Sequence, residues 1–355
     1  MEIDSRCERV SEMQKMQQHA EREISTPVSL CDSKGNLNPA AIGFARQPII
    51  DSNLTGHFMR KKKWNYWCVY GEDILFSATI SHLDYAAVCF VYFLDYETQR
   101  FFEKTITIPL GQRINMPSKV LETVKFSNND MSIQLLHMQG ETHMTVTISD
   151  FDGELLHADL HIEHPKNDDS LNVVIPWNRQ LFQHTAKHHT LPTSGFVKIG
   201  EKRYTFNPEE SFAVLDYGRG VWPRSAHWNW AMASQKVGDQ RIGLNFGGKW
   251  TDGTGMTENA IFVDGRMTKI HEDVLFEYNQ NDFMKPWRIR TKFSKDVDLT
   301  FTPFFKRVAK TDARLVTSSV HQLVGYFNGV LNLEDGSSLA ITQMLGSSEE
   351  HLAKW

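Results

Sequence analysis

Cysteine is scarce in this chain, long apolar runs are missing, and neither sign of charge dominates. The four cysteines, Cys7, Cys31, Cys68 and Cys89, form no Cys-x-x-Cys pair. A chain of 355 residues is too large to need a disulfide frame, so reduced thiols in a cytoplasmic setting are expected. The longest apolar run, Ala86 to Leu94, is too short to cross a bilayer. The opening MEIDSRCERV is charged and lacks the apolar centre of a secretion signal. A soluble protein without a transmembrane segment is the expectation. Lys and Arg number 38 against 43 Asp and Glu, for a formal charge of −5. The one basic block, Arg60 to Lys63, reads as a solvated turn, so no nucleic-acid partner is expected. Neither a Walker loop nor a dinucleotide fingerprint is present, which argues against nucleotide binding.

What the chain has is aromatic mass: 22 Phe, 9 Trp and 9 Tyr, with 41% hydrophobic residues overall. That suffices for a substantial core. Val10, Met13, Met16, Ala20 and Ile24 recur at helical spacing, so an N-terminal helical extension is expected within residues 1–30, ending before Pro27. From Trp64 the period changes. WNYWCVY, ILFSATIS, DYAAVCFVYFLD, KTITI, MSIQLLHM and THMTVTIS are strand-like, about ten residues apart, with turns such as Asn128-Asn129-Asp130 between them. This predicts a mainly β fold of antiparallel sandwich or barrel type. Trp64-Asn65-Tyr66 is echoed by Trp228-Asn229-Trp230, which suggests two similar β domains in tandem. The expected division is 31–192 and 193–355, with the boundary at LPTSG, Leu191 to Gly195. The tail SSEEHLAKW reads as a short C-terminal helix, with Ser347 and Glu350 spaced as a capping box.

Two stretches hold dense polar chemistry. The first is the glycine-rich LNFGGKWTDGTGMTENAIFVDG, Leu244 to Gly265. Asp252-Gly253 reads as a turn and Asp264-Gly265 as a tight hairpin. Glu258 falls among apolar neighbours whichever face it takes, so burial is expected to raise its pKa and suit it to acid catalysis. The bland reading of Glu258 is an ion pair with an arginine. Asp252 is a second catalytic candidate, with Trp250 and Asn259 beside it. The second stretch is LDYGRGVWPRSAHWNWAMAS, Leu215 to Ser234. It supplies Asp216 as a third catalytic candidate. Arg219, Trp222, His227, Trp228, Asn229 and Trp230 are its candidate substrate contacts. An Asp216–Arg219 ion pair and a purely structural Trp cluster are the bland readings there. In HADLHIEH the residues His157, Asp159, His161 and Glu163 share a face. Spread along one strand they span roughly 20 Å and cannot meet at one ion, so a solvated face is expected. His184, His188 and His189 read as a polar loop. No metal and no cofactor are called for.

The series LDYGRGVWP, HWNWAMAS, GLNFGGKWTDGTGMTENAIFVDG, KIHEDVLFEYN and MKPWRIRT resembles the family called domain of unknown function 2804. The resemblance runs from about Trp64 to the end, with Tyr217 standing where members often carry Trp. It implies a fold similar to that of the carotenoid hydratases and tocopherol cyclase, two lipocalin-like β-barrels in tandem with a ligand pocket between or within them. It does not imply a reaction. Three functions stay open: a cofactor-independent hydratase, cyclase or lyase using a carboxyl acid in a Trp-lined pocket; a glycosidase or related carbohydrate-active enzyme with paired carboxylates; and a non-catalytic small-molecule carrier.

Overall fold

The alternating segments pair almost entirely with their chain neighbours, as hairpin-linked strands do. In the computed structural model, which describes residues 20–112, 114–313 and 316–355, they build two large curled antiparallel sheets. In the first, the strands Lys61–Tyr70, Ile74–His82, Ala86–Asp95 and Phe101–Pro109 follow in order on one side. Val124–Ser127, Met131–Met138, Glu141–Phe151, Glu154–Glu163, Phe182–Ile199 and Phe212–Val221 follow on the other. Lys61–Tyr70 then pairs with Phe212–Val221, which joins the two runs. The second sheet repeats the plan. Ser225–Val237, Gln240–Gly248, Ala260–Val263 and Arg266–Lys269 form one run. Val274–Glu277, Trp287–Thr291, Val297–Ala313, Val316–Asn332 and Ser338–Lys354 form the other, and Ser225–Val237 pairs with Ser338–Lys354. The fold is two lipocalin-like antiparallel half-barrels.

The Trp-Asn echo falls at matching places. Trp64 is the fourth residue of Lys61–Tyr70 and Trp228 the fourth of Ser225–Val237, the strands that join the two runs of each sheet. The chain passes from the first sheet to the second at residues 222–224. Leu191 to Gly195 lies inside the long strand Phe182–Ile199, so residues 193–221 pair within the first sheet. The Pro and Gly there mark a bend, not a linker. The register shifts between His188 and Leu191, and Gly195 packs so closely on Asp159 that a Cβ would stand 2.1 Å from its carbonyl oxygen.

Period-two alternation sorts the side chains into separate cores. Trp67, Val69, Phe76 and Leu215 fill the inside of the first half-barrel. Ala231, Ala233, Phe246 and Trp287 fill the second. The opposite faces of the same strands, with Tyr66, Cys68, Tyr70, Trp230, Met232 and Leu345, meet between the sheets. Cys31, Cys68 and Cys89 are buried free thiols.

The C-terminal helix is not formed. Ser347 and Glu350 belong to the strand Ser338–Lys354, where Ser347 pairs with both Met232 and Val324. Two flanking strands claim its backbone groups, and that pairing overrides a local capping pattern. Most of the expected N-terminal helix lies outside the described residues. Its end is not helical: Glu23 bridges to Phe44. The one helical element among the described residues is the single 3₁₀ turn Pro39–Ala41. No helix there is long and apolar enough to cross a membrane.

Candidate active site

The two sheets do not touch all along their facing surfaces. Near Trp64 and Trp228 they part around a cavity of about 500 Å³, a size common for small-molecule sites. The cavity lies between the half-barrels and not inside either one.

Its polar centre is a triad of Lys187 and Asp216 from the first sheet and Glu258 from the loop before Ala260–Val263 in the second half-barrel. Lys187 and Asp216 are direct cross-strand partners, so their approach is fixed by register. Lys187 Nζ stands 2.9 Å from Asp216 Oδ1 and 3.1 Å from Glu258 Oε2. Thr185 Oγ1 donates to Asp216 Oδ1 at 3.2 Å. Trp250 Nε1 donates to Glu258 Oε1 at 2.7 Å. Glu258 is 2% exposed and Lys187 3% exposed. Burial pushes the Glu258 carboxyl up, and Asp216 adds to the rise against the opposing pull of Lys187. Burial works to lower Lys187, but Asp216 and Glu258 outweigh it and hold the ammonium charged. The buried triad therefore holds one cation for two carboxyls. With Asp216 neutralising Lys187, a second full negative charge at Glu258 is disfavoured. Its Oε2, although close to Lys187, has no aligned hydrogen bond.

Indole rings wall the cavity around this centre. Trp222 and Trp250 stack at 5.0 Å, and Trp64 and Trp228 flank Trp222 at 6.0 and 5.5 Å. The Lys187 ammonium lies 4.3 Å from the Trp230 ring centre. Asn245 locks two parts at once: its Oδ1 accepts from Trp230 Nε1 at 2.9 Å and its Nδ2 donates to the Glu258 carbonyl at 2.5 Å. Space for the Glu258 side chain depends on Gly247, where a Cβ would lie 2.0 Å from Oε1.

The loop that carries Glu258 is pinned from the far side. Glu21 accepts from Thr257 N at 3.0 Å and from Lys269 Nζ at 2.8 Å. The expected hairpin closes just beyond: Asp264 and Gly265 both have positive φ, 48° and 77°, as a two-residue turn between Ala260–Val263 and Arg266–Lys269 requires.

The sequence profile of the family described as Domain of unknown function (DUF2804) matches residues 21–355. The chain belongs to this family. Among curated proteins, none matches it. Solved structures are similar to the DUF2804 chain at low identity. Kievitone hydratase from Nectria haematococca is 9% identical, with a TM-score of 0.50 over 94% of this chain and 97% of its own. CghA is 10% identical, with a TM-score of 0.49 over 86% and 94% of the two chains. At these identities the likeness is one of fold.

Of the residues singled out in the DUF2804 sequence, Asp216, Glu258, Trp222, Trp228, Trp230 and Trp250 meet at the cavity. The other five do not line it. Asp252 sits at an exposed turn, where its Oδ1 accepts from Lys249 N at 2.9 Å. Arg219 is three residues from Asp216 on a strand and so points to the opposite face. It is fully buried in the first half-barrel, where it donates to the carbonyls of Pro117 at 3.1 Å and Trp64 at 2.7 Å, and to Asn65 Oδ1 at 2.8 Å. The Asp216–Arg219 ion pair is thereby excluded. His227 and Asn229 alternate with Trp228 and Trp230 and face the other way, into a polar group with Lys249, Tyr278 and Glu350. Asn259 braces the loop, accepting from Gly247 N at 2.8 Å and donating to the Glu272 carbonyl at 2.9 Å.

Lys187, the hub of the triad, escaped the sequence reading. It lies in HTAKHHT, which looks like a polar loop but is a buried strand. The opposite wall holds a second group the sequence did not flag. His351 Nε2 is 2.8 Å from Ser318 Oγ, its Nδ1 is 3.6 Å from Glu349 Oε1, and Glu349 accepts from Trp228 Nε1 at 3.1 Å. The Glu-x-His spacing at positions 349–351 was the available signal, hidden by the expectation of a helix. Arg307 reaches across from the second sheet to Glu103 of the first, at 2.7 Å.

Proposed function

We propose that this DUF2804 protein is an enzyme that acts on a small organic ligand by proton transfer from Glu258, in the manner of a hydratase, cyclase or lyase. The observation that carries the reading is the fully buried Glu258 carboxyl, raised in pKa, beside one ammonium already shared with Asp216. A protonated carboxyl in a Trp-walled cavity is equipped to donate to a double bond or a leaving oxygen. The indole faces then meet the developing cation. Lys187 and the Trp250 N–H stabilise the carboxylate left behind. The cation is discharged by water, by a nucleophile within the ligand, or by loss of a neighbouring proton. In each case a proton returns Glu258 to its acid form, so no outside reductant or oxidant enters the balance. His351 faces the same space and is the group suited to accept a proton from an attacking water. The shared architecture with a hydratase supports this at the level of fold only.

A paired-carboxylate glycosidase fits less well. Such a pair must flank the scissile bond, whereas the Lys187 ammonium occupies the space between Asp216 and Glu258. A carrier without chemistry is the second reading, favoured by the same ion contact at Glu258.

The test is a thermal-shift panel of terpenoids, phenolics, fatty acids, sugars and glycosides, followed by product analysis on each stabilising ligand. Stabilisation by an apolar or phenolic ligand that is converted to product supports the enzyme. The Glu258→Gln variant should bind that ligand with conversion reduced by about 10²–10⁴-fold. Binding with equal conversion in the variant removes Glu258 from the chemistry, and binding with no product from either protein leaves the carrier reading.

A further inference from the structure

One group of metal-ligating side chains lies outside the cavity, on the outer face of the first sheet. His143 and His161 are direct partners across the antiparallel strands Glu141–Phe151 and Glu154–Glu163. Asp159, two residues before His161, projects from the same face. The imidazoles lie nearly parallel, their centres 4.4 Å apart. Asp159 Oδ1 is 2.7 Å from His143 Nε2 and 3.7 Å from His161 Nε2. One ligand atom from each of the three residues lies within 4.8 Å of the others.

A fourth residue sets the orientation. His161 Nδ1 is 2.9 Å from Glu141 Oε1. A carboxylate there holds the proton on Nδ1 and leaves the Nε2 lone pair free, turned toward Asp159. Ligating histidines are commonly supported in this way.

We propose that His143, Asp159 and His161 form a surface site for a divalent transition-metal ion of the Zn²⁺ or Cu²⁺ class, with Glu141 as the positioning residue for His161. Two imidazoles and one carboxylate are the donor set such ions take. Ligand atoms about 2.0–2.2 Å from one ion stand roughly 3–3.6 Å from each other. Two of the three separations, 2.7 and 3.7 Å, bracket that range and the third is within 4.8 Å, so closure on an ion needs rotamer adjustment without backbone movement. The side chains are 23%, 35% and 45% exposed for His143, Asp159 and His161, which leaves the outer coordination positions to water. A plain His143–Asp159 ion pair accounts for one imidazole. It does not account for a second imidazole stacked on the first, with a carboxylate of its own on the far nitrogen. The linear spacing problem disappears because the ligands come from two strands.

The experiment is calorimetric titration of the full, untagged, chelator-stripped protein with ZnCl₂, and with CuCl₂ monitored by its visible absorption. Wild type should take up about one equivalent with micromolar affinity. His143→Gln and His161→Gln should each weaken binding at least tenfold, and Glu141→Gln about tenfold. Metal-free melting temperatures should stay close to wild type, since the altered groups lie on the outer face of the sheet and are partly exposed. At a fixed Zn²⁺ concentration near the wild-type Kd, the melting temperature should rise more for wild type than for any of the variants. Absence of saturable binding in wild type overturns the proposal. So does a His143→Gln/His161→Gln double variant that binds as wild type does.

Discussion

Replacing Lys187 with Met tests the central electrostatic argument without any substrate. The ammonium is the counter-charge within salt-bridge distance of both Asp216 and Glu258. Met keeps most of the volume and removes the charge, which leaves two carboxyls facing each other in a buried site. Breaking a buried ion pair by removing one partner costs about 3–5 kcal/mol. With an unfolding entropy of about 2.1 cal/mol/K per residue, that lowers the melting temperature by about 4–7 °C for a chain of this length. The sign of the pH dependence is the sharper prediction. Without Lys187 the Glu258 carboxyl loses the charge that pulls its pKa down and is raised further above its unfolded value, so the folded state binds more protons and gains stability as pH falls. The gap between variant and wild type should therefore shrink between about pH 8 and pH 5. Scanning calorimetry of both proteins at each pH reads this directly. Adding Glu258→Gln to the variant should recover part of the loss, a coupling of about 1–3 kcal/mol. A gap of equal size at both pH values, or strictly additive effects of the two substitutions, would refute the shared-cation account.

Two further outcomes follow from other parts of the same structure. Gly247→Ala places a methyl 2.0 Å from Glu258 Oε1, which should displace the carboxyl and cost about 1–3 kcal/mol; chemical denaturation reads the stability loss, and turnover should fall with it. His184 and His189 are buried neutral, held down to about 3 and about 4 by burial. Between an unfolded value near 6.5 and these values the unfolded chain binds protons that the folded chain refuses, so stability falls on acidification. The two groups together remove about 5 kcal/mol by pH 4.5. Melting temperature against pH should drop below about pH 6.5, and a His184→Asn/His189→Asn variant should flatten the drop; a parallel curve for the variant would count against it.

The strands were legible wherever one face is apolar. WNYWCVY and ILFSATIS form Lys61–Tyr70 and Ile74–His82 because Trp67, Val69 and Phe76 need the same core. The DUF2804 motifs also marked out the Trp cluster and both acidic members of the triad. What failed to read correctly was strand sequence that is polar and buried at once. In Phe182–Ile199 the stretch HTAKHHT puts Thr185 and Lys187 into the cavity, while His184 turns back to Ser52 in the first half-barrel. In Ser338–Lys354, Glu349 and His351 face the cavity and Glu350 faces Tyr278 and Lys249. Polarity signals exposure only while the partner is unknown. Here the partners are tens of residues distant, Asp216 for Lys187 and Tyr278 for Glu350, so no local pattern could name them. Parity explains three of the five singled-out residues that lie away from the cavity. Arg219, His227 and Asn229 are close in sequence to cavity residues but fall on the opposite face of their strands.

The same parity explains why a site arises between two half-barrels. Each sheet buries one face around its own core, and the outer face of an isolated sheet is free to carry polar groups facing water. Pressing two such faces together dehydrates whatever they carry. Where the faces are apolar, at Tyr70, Met232 and Leu345, the sheets close. Where they carry Lys187, Asp216, Glu258 and Trp rings, the sheets part into the cavity. The raised pKa of Glu258 is then a consequence of packing: the carboxyl comes from a loop of the second half-barrel, its counter-charge from a strand of the first, and their contact buries both. Arg307 of the second sheet, held by Glu103 of the first, is a clamp on that contact. Loosening the clamp should rehydrate the triad and return Glu258 toward an ordinary carboxylate, even though Arg307 touches neither Glu258 nor Lys187 through any hydrogen bond or ion pair. The acidity on which the proposed chemistry rests is thus a property of the interface between the sheets, and no single half-barrel contains it.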